Sequence, residues 1–185
     1  MYLITKEMKP FAAAHNLVKH DGGCANLHGH NYGVFITLTG DLIPHYAELP
    51  SASMIMDFTR VKELYEERIH NIIDHAYILG KEWPAWYEQF VTLYQNTHGK
   101  SREFAQAGVD ELLGKVAHID MHHTTAEELA RWIFVEMSQA ISDEYAKYPL
   151  MERLPVVHSV KVYETPSSYA TFVHPDYSGV YDGSS

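Results

Sequence analysis

The sequence predicts an α+β fold, an antiparallel sheet with two main helices on one face. Three observations carry this. Both ends of the chain alternate apolar and polar residues with the period of a strand, two stretches between them repeat with the period of an amphipathic helix, and no alternating strand–helix repeat is present. At 185 residues the chain suits a single domain over 1–185, long enough for a real core and too short for two full-sized domains.

Residues 2–14 mix β-formers with Phe11 and the small run Ala12 to Ala14, and 28–39 put His28, His30, Tyr32, Val34, Ile36 and Leu38 on one strand face. Asp21-Gly22-Gly23 between them marks a tight connection, so the pair reads as a hairpin with an elaborated loop. Residues 41–53, with Pro44 and Pro50, read as irregular, and Met54 to Met56 as a short extended entry. Asp57 or Thr59 can cap a helix whose Val61, Leu64, Tyr65, Ile69, Ile72, Ile73 and Ala76 form one stripe. From about 81 to 120 weaker helical patterns, Trp83 to Tyr94 and Phe104 to Val116, break near His98-Gly99 and read as a helical insertion. The aromatic stripe Trp83, Trp86, Tyr87 and Phe90 reads as core rather than as a ligand cage. Thr124-Thr125, with Glu127 and Glu128 three residues on, caps a second main helix that buries Leu129, Trp132, Ile133, Met137 and Ile141. Strands return at 156–164 and 169–174 around Pro166-Ser167-Ser168, completing a four-stranded sheet, and the tail after Pro175 reads as loosely held.

Composition narrows the function. Fourteen Lys+Arg against 24 Asp+Glu give a net charge of −10, so nothing draws the chain to nucleic acid or to an anionic membrane, and any anionic ligand needs a local basic pocket. Lys19, His20, Arg60 and Lys161 are candidates for such a rim. No apolar run approaches the roughly 18 residues of a membrane span, and MYLITKEMKP lacks a signal-peptide core, so a cytoplasmic protein is expected. One cysteine excludes an internal disulfide framework, and 13 histidines is an unusual number.

His28-Gly29-His30 is the sharpest local feature. On a strand, residues i and i+2 point the same way and their imidazoles can converge on a metal. A structural zinc site takes four protein ligands, often cysteines, whereas a catalytic one takes three and leaves a position open. One Cys and many His favour three ligands, with His15 across the hairpin as the third. A surface pair of histidines is the alternative. Cys24, in the glycine-rich loop, reads either as a thiol beside the metal or as a small buried hydrophobe. Asp74-His75 reads as a carboxylate fixing an imidazole for proton transfer or as a polar helix end. Glu164 can accept two hydrogen bonds from the guanidine-like edge of a heterocycle, or simply close a strand. His122-His123 reads as solvated or capping, because adjacent side chains diverge.

FAAAH (11–15), CANLHGHNY (24–32), MDF (56–58), IDH (73–75), TAEELA (125–130) and YET (163–165), in that order, resemble the 6-pyruvoyltetrahydropterin synthase and 6-carboxytetrahydropterin synthase family over most of the chain. The Cys-x-x-x-His-Gly-His spacing is similar to the 6-carboxy branch. The resemblance implies the tunnelling fold (ββααββ), with subunits joining sheets into hexamers of two trimers and sites at subunit interfaces. It implies Zn2+ on His15, His28 and His30, Cys24 as catalytic thiol, and Asp74 and His75 as a proton relay reaching the thiol from a neighbouring subunit. Glu164 is implied as the pterin anchor. Three positions depart from the family: Asn16 stands where relatives often carry Arg, Thr124 where a Pro-Thr pair is common, and the segment from His75 to Thr125 exceeds the minimal core.

The implied reaction is a zinc-dependent lyase step on 7,8-dihydroneopterin triphosphate that gives 6-carboxy-5,6,7,8-tetrahydropterin, acetaldehyde and triphosphate, on the queuosine and 7-deazapurine route. Its rivals are 6-pyruvoyltetrahydropterin formation or aldol cleavage of a dihydroneopterin on the same site, and a non-catalytic zinc or pterin-binding module. A zinc hydrolase of the HxH barrel type is disfavoured by length and by the missing βα repeat.

Overall fold

Three strands open the chain, β1 (Tyr2–Glu7), β2 (Phe11–His15) and β3 (His28–Gly40), in a computed structural model that describes residues 1–44, 52–146 and 154–177. The irregular connection expected at 41–53 and the tail expected after Pro175 lie largely outside the described residues. β2 runs antiparallel to residues 28–32 of β3 and β1 to residues 35–40. The two are one strand path interrupted at Met8 to Pro10, where Pro10 has no N–H for the ladder while Met8 N donates to Val34 O at 2.9 Å.

The first main helix starts as expected, with Asp57 rather than Thr59 as its cap: the carboxylate accepts from Thr59 N at 2.6 Å and α1 (Phe58–Tyr65) follows. A π turn (Glu66–His70) and the short α2 (Asn71–Ile73) continue it. The helix then stops short of the expected stripe. Asp74 turns extended, His75 takes a positive φ of 59°, and Ala76, read from sequence as the last helical position, begins β4 (Ala76–Leu79).

The structure departs from two expectations. The sheet is not four-stranded and antiparallel but seven-stranded and mixed, because β4 pairs with β2 in parallel and β5 (Val116–His118) pairs with β4 in parallel. The 81–120 segment is likewise not wholly helical, since β5 lies inside it. A short apolar run such as Ala-Tyr-Ile-Leu, buried throughout, has no alternation to distinguish it from a helix end. The two helices of the insertion form as expected, α3 (Ala85–His98) and α4 (Arg102–Leu113), separated at Gly99, whose φ of 61° is the left-handed C-cap that glycine adopts freely.

The second main helix, α5 (Ala126–Tyr145), has Thr125 accepting from Glu128 N, and β6 (Val156–Thr165) and β7 (Ser168–Val173) close the chain. β6 takes the other edge of β3, and β7 pairs with β6. The main core lies on one face: Val34, Ile36 and Leu38 of β3 and Val160 and Val162 of β6 meet Leu129, Ile133 and Met137 of α5 and Val61 and Leu64 of α1. The helices of the insertion occupy the opposite face. Ala76 and Ile78 point into the main core, whereas Tyr77 and Leu79 pack with Tyr87 and Val91 of α3 and Ala105 and Val109 of α4. Of the aromatic stripe, Tyr87 is buried in this second small core and Trp83 and Trp86 pack against it, whereas Phe90, expected in the core, is 54% exposed at the end of the stripe.

Candidate metal centre

His15 ends β2 and His28 opens β3, and the antiparallel register sets them opposite each other; His30 faces Ala13, one step along the same face. Period-two alternation turns all three imidazoles to the helix side of the sheet. Their ring centroids lie 4.5 Å (His15–His28), 5.2 Å (His15–His30) and 5.0 Å (His28–His30) apart. One nitrogen from each comes within 4.8 Å of the others.

The surroundings fix how two of these rings present their nitrogens. Nδ1 of His15 donates to Thr124 O at 2.6 Å and Nδ1 of His28 to Asn26 O at 2.8 Å, so Nε2 of each carries the lone pair. His15 is 2% exposed, and its Nε2 is buried with no hydrogen-bond partner among the described residues. Burial lowers its pKa to about 4; the Thr124 carbonyl opposes the shift, and the neighbouring His28 and His30 add to it. A neutral imidazole with an orphaned buried lone pair, facing two more imidazoles, fits a divalent cation that accepts nitrogen ligands, and three donors leave a coordination position open.

The other expected site residues surround this cluster unevenly. Glu164 of β6 is close, with Oε1 3.9 Å from His15 Nε2. Cys24 is an exposed thiol in a 3-10 turn (Gly23–Ala25) between β2 and β3, and is not one of the clustered ligands. The buried-hydrophobe reading of Cys24 therefore fails. Asp74 and His75 form the expected pair: Asp74 Oδ2 accepts from His75 Nδ1 at 3.0 Å and Oδ1 accepts from Ala12 N at 3.1 Å. Burial alone would raise the Asp74 carboxyl, but the Ala12 N–H and the two histidines, His75 and His70, outweigh it and hold the group ionised.

The pair makes no hydrogen bond or ion pair with the triad among the described residues. His75 is 80% exposed and lines a shallow groove with Ala12, Ala14, Gly29 and Asn31, which alternate with the histidines along β2 and β3, and with Ala13, Ala76 and His30 of the triad. The four candidate rim cations are also dispersed. Arg60 is held by Glu63 and Glu144 at 2.9 Å each, Lys19 by Glu82 at 3.0 Å, and Lys161 lies over the Tyr169 ring at 4.6 Å. His20 accepts from Gly22 N at 2.9 Å. His122 and His123 line a small cavity beside Thr124 and Asn16.

Contacts that the sequence does not announce also shape the site. Thr124 contributes through its backbone carbonyl, which no side-chain motif announces. Tyr77 and Asn16 join β4 to the loop that carries Cys24.

A family model described as 6-pyruvoyl tetrahydropterin synthase matches residues 3–175. Among curated relatives, a 6-carboxy-5,6,7,8-tetrahydropterin synthase of Haemophilus influenzae is 30% identical over 172 residues, spanning 93% of this chain and 99% of the relative. One from Synechocystis sp. is 26% identical, over 95% of each chain. The fold matches an uncharacterized protein of Wolinella succinogenes with TM-score 0.67 at 18% identity, covering 94% of this chain and 98% of that one. It also matches a Plasmodium vivax 6-pyruvoyl tetrahydropterin synthase with TM-score 0.58 at 19% identity, covering 94% and 99%. The overall fold is thus shared with these structures, and the chain, matched over residues 3–175 by the family model, belongs to the 6-pyruvoyl tetrahydropterin synthase family.

Proposed function

We propose that this chain is a zinc-dependent 6-carboxy-5,6,7,8-tetrahydropterin synthase, converting 7,8-dihydroneopterin triphosphate and one water to 6-carboxytetrahydropterin, acetaldehyde and triphosphate in the cytoplasm, on the route to 7-deazapurines. The observation that carries the proposal is the three-imidazole cluster, neutral at His15 and without a fourth protein ligand in the group among the described residues. The names of the curated relatives support this reaction among those of the family.

Zinc on His15, His28 and His30 would supply Lewis-acid chemistry at an oxygen of the substrate side chain. The remaining work falls to the chain itself. Glu164, beside His15, anchors the ring by accepting hydrogen bonds from its amino-pyrimidine edge, which brings the side chain to the triad. Cys24 removes and returns the carbon-bound proton. His75, oriented by the Asp74 carboxylate at 3.0 Å, passes protons to and from the thiol. Because the Asp74–His75 pair makes no hydrogen bond or ion pair to the triad among the described residues, we assign it to the site of a neighbouring subunit in a homo-oligomer, a hexamer of two trimers.

The test is product analysis. Zinc-loaded protein incubated with 7,8-dihydroneopterin triphosphate is expected to yield a carboxylated pterin and acetaldehyde by mass spectrometry, with neither product from Cys24→Ala or His28→Ala. A pyruvoyl or hydroxymethyl product, no turnover, or full activity in Cys24→Ala overturns the proposal.

A further inference from the structure

Asn16 stands where four pieces of the chain meet, and it is 8% exposed. Its Oδ1 accepts from the Tyr77 hydroxyl of β4 at 2.6 Å, its Nδ2 donates to Ala25 O at 3.4 Å, and its carbonyl accepts from Thr124 Oγ1 at 3.0 Å. The turn that carries Cys24 is held by three successive carbonyls. Cys24 O accepts from Leu17 N at 2.8 Å, Ala25 O from Asn16, and Asn26 O from the ring of His28 at 2.8 Å.

An amide has one accepting and one donating end, and nothing in its shape says which is which. The Ala25 carbonyl decides it here. It can only accept, so the amide atom facing it is Nδ2, which turns Oδ1 toward the Tyr77 hydroxyl and makes that hydroxyl the donor of the short bond. The Nδ2 bond is long and would orient the amide poorly by itself. Tyr77 is in turn held by the insertion: its ring stacks on Trp86 of α3, with centroids 5.7 Å apart and planes 22° apart.

We infer that Tyr77, acting through Asn16, is a positioning residue for the Cys24 turn, its hydroxyl setting the amide that holds Ala25 beside the thiol. A strand and a helix added to the sheet edge thereby reach the site without touching substrate. The inference rests on the reading of Cys24 as the catalytic thiol.

The test uses Tyr77→Phe, which removes one oxygen, in the zinc-loaded full chain. Cys24 is the single thiol, so iodoacetamide alkylation followed by mass spectrometry reads its placement directly. Amide exchange at Leu17, which donates to Cys24 O, reads the tether. In Tyr77→Phe we expect both rates to change by about fivefold to tenfold, the factor set by losing one neutral hydrogen bond. The turnover number is expected to fall by a similar factor, with KM and zinc content held. Asn16→Ala is expected to act in the same direction, and the double variant to be no worse than Asn16→Ala alone, because the tyrosine works through the amide. Tyr87→Phe removes a buried hydroxyl from the same insertion, one bonded to Asp110, and is expected to leave Cys24 alkylation unchanged. Unchanged alkylation and exchange in Tyr77→Phe, the same change in Tyr87→Phe, or additive effects in the double variant overturn the inference. If alkylation and exchange respond as stated but the parent protein forms no carboxylated pterin, the proposed reaction fails and the positioning role stands.

Discussion

Metal-free protein should lose stability on acidification through His15. The imidazole titrates at 6.5 in the unfolded chain and at about 4 in the fold. Between those values the unfolded state binds a proton that the folded state excludes, so stability is full above pH 6.5 and declines as pH falls toward 4. A gap of that size corresponds to about 3 kcal/mol, a large share of the roughly 5–15 kcal/mol that holds an ordinary domain together. The assay is urea unfolding of chelated protein at several pH values between 7.5 and 4, with His15→Gln alongside to cancel the carboxylates common to both. The parent is expected to lose about 3 kcal/mol more than the variant over that range, in proportion to the His15 gap. With zinc present the loss should steepen, because protons then also compete for the ligand nitrogens. Equal pH dependence in parent and variant would refute the claim that the fold holds His15 as a buried neutral imidazole.

Two further changes test the scaffold behind that ligand. A Cβ at Gly80 would lie 2.7 Å from Met121 O and 2.8 Å from His122 O, both backbone atoms just ahead of Thr124; Gly80→Ala is expected to cost about 1–3 kcal/mol in urea unfolding and to weaken zinc binding in a competition titration, since the Thr124 carbonyl that orients His15 must shift. Thr125→Ala removes the side-chain acceptor for Glu128 N, and calorimetry should show about 1 kcal/mol of lost stability with the metal site intact.

How much of this could be read from sequence depended on range. Elements with long, strong periodicity formed where expected: the alternation from His28 to Leu38 became the face of β3, and the Thr125 cap began α5. The histidine triad was readable for the same reason, since i and i+2 on a strand share a face and a hairpin brings the third ligand opposite. The parallel strands were not readable. Four buried residues at Ala76–Leu79 and a three-residue strand at Val116–His118, of which only Ala117 is buried, are too short or too uniform to show periodicity, and their pairing is fixed by partners far away in sequence. Missing them hid Tyr77 as a contact to Asn16 and hid the second face of helices. The Thr124 carbonyl was invisible in principle, because every residue has one and only the fold shows which is aimed at a ring.

The separation of the two polar clusters leads to the sharpest remaining test. His15, His28 and His30 cluster on the face of β2 and β3 toward α1 and α5, whereas the exposed His75 borders Ala12, Ala14, Gly29 and Asn31, which alternate with them, and shares its groove with His30. Within one chain the Asp74–His75 pair makes no hydrogen bond or ion pair to the cluster among the described residues. If Cys24 and His75 serve the same reaction, they do so from different copies, and two inactive variants should rescue each other. Cys24→Ala and His75→Ala subunits, each inactive alone, should regain activity when unfolded, mixed in equal amounts and refolded. Random assembly gives both intact groups to about one site in four, so recovery near a quarter of the parental rate is expected. Zinc content should stay at the parental level in both variants, because neither residue belongs to the triad. Refolded mixtures that contain mixed oligomers by native mass spectrometry yet remain inactive would show that Cys24 and His75 do not share a site across subunits, and the relay assignment would fall with them.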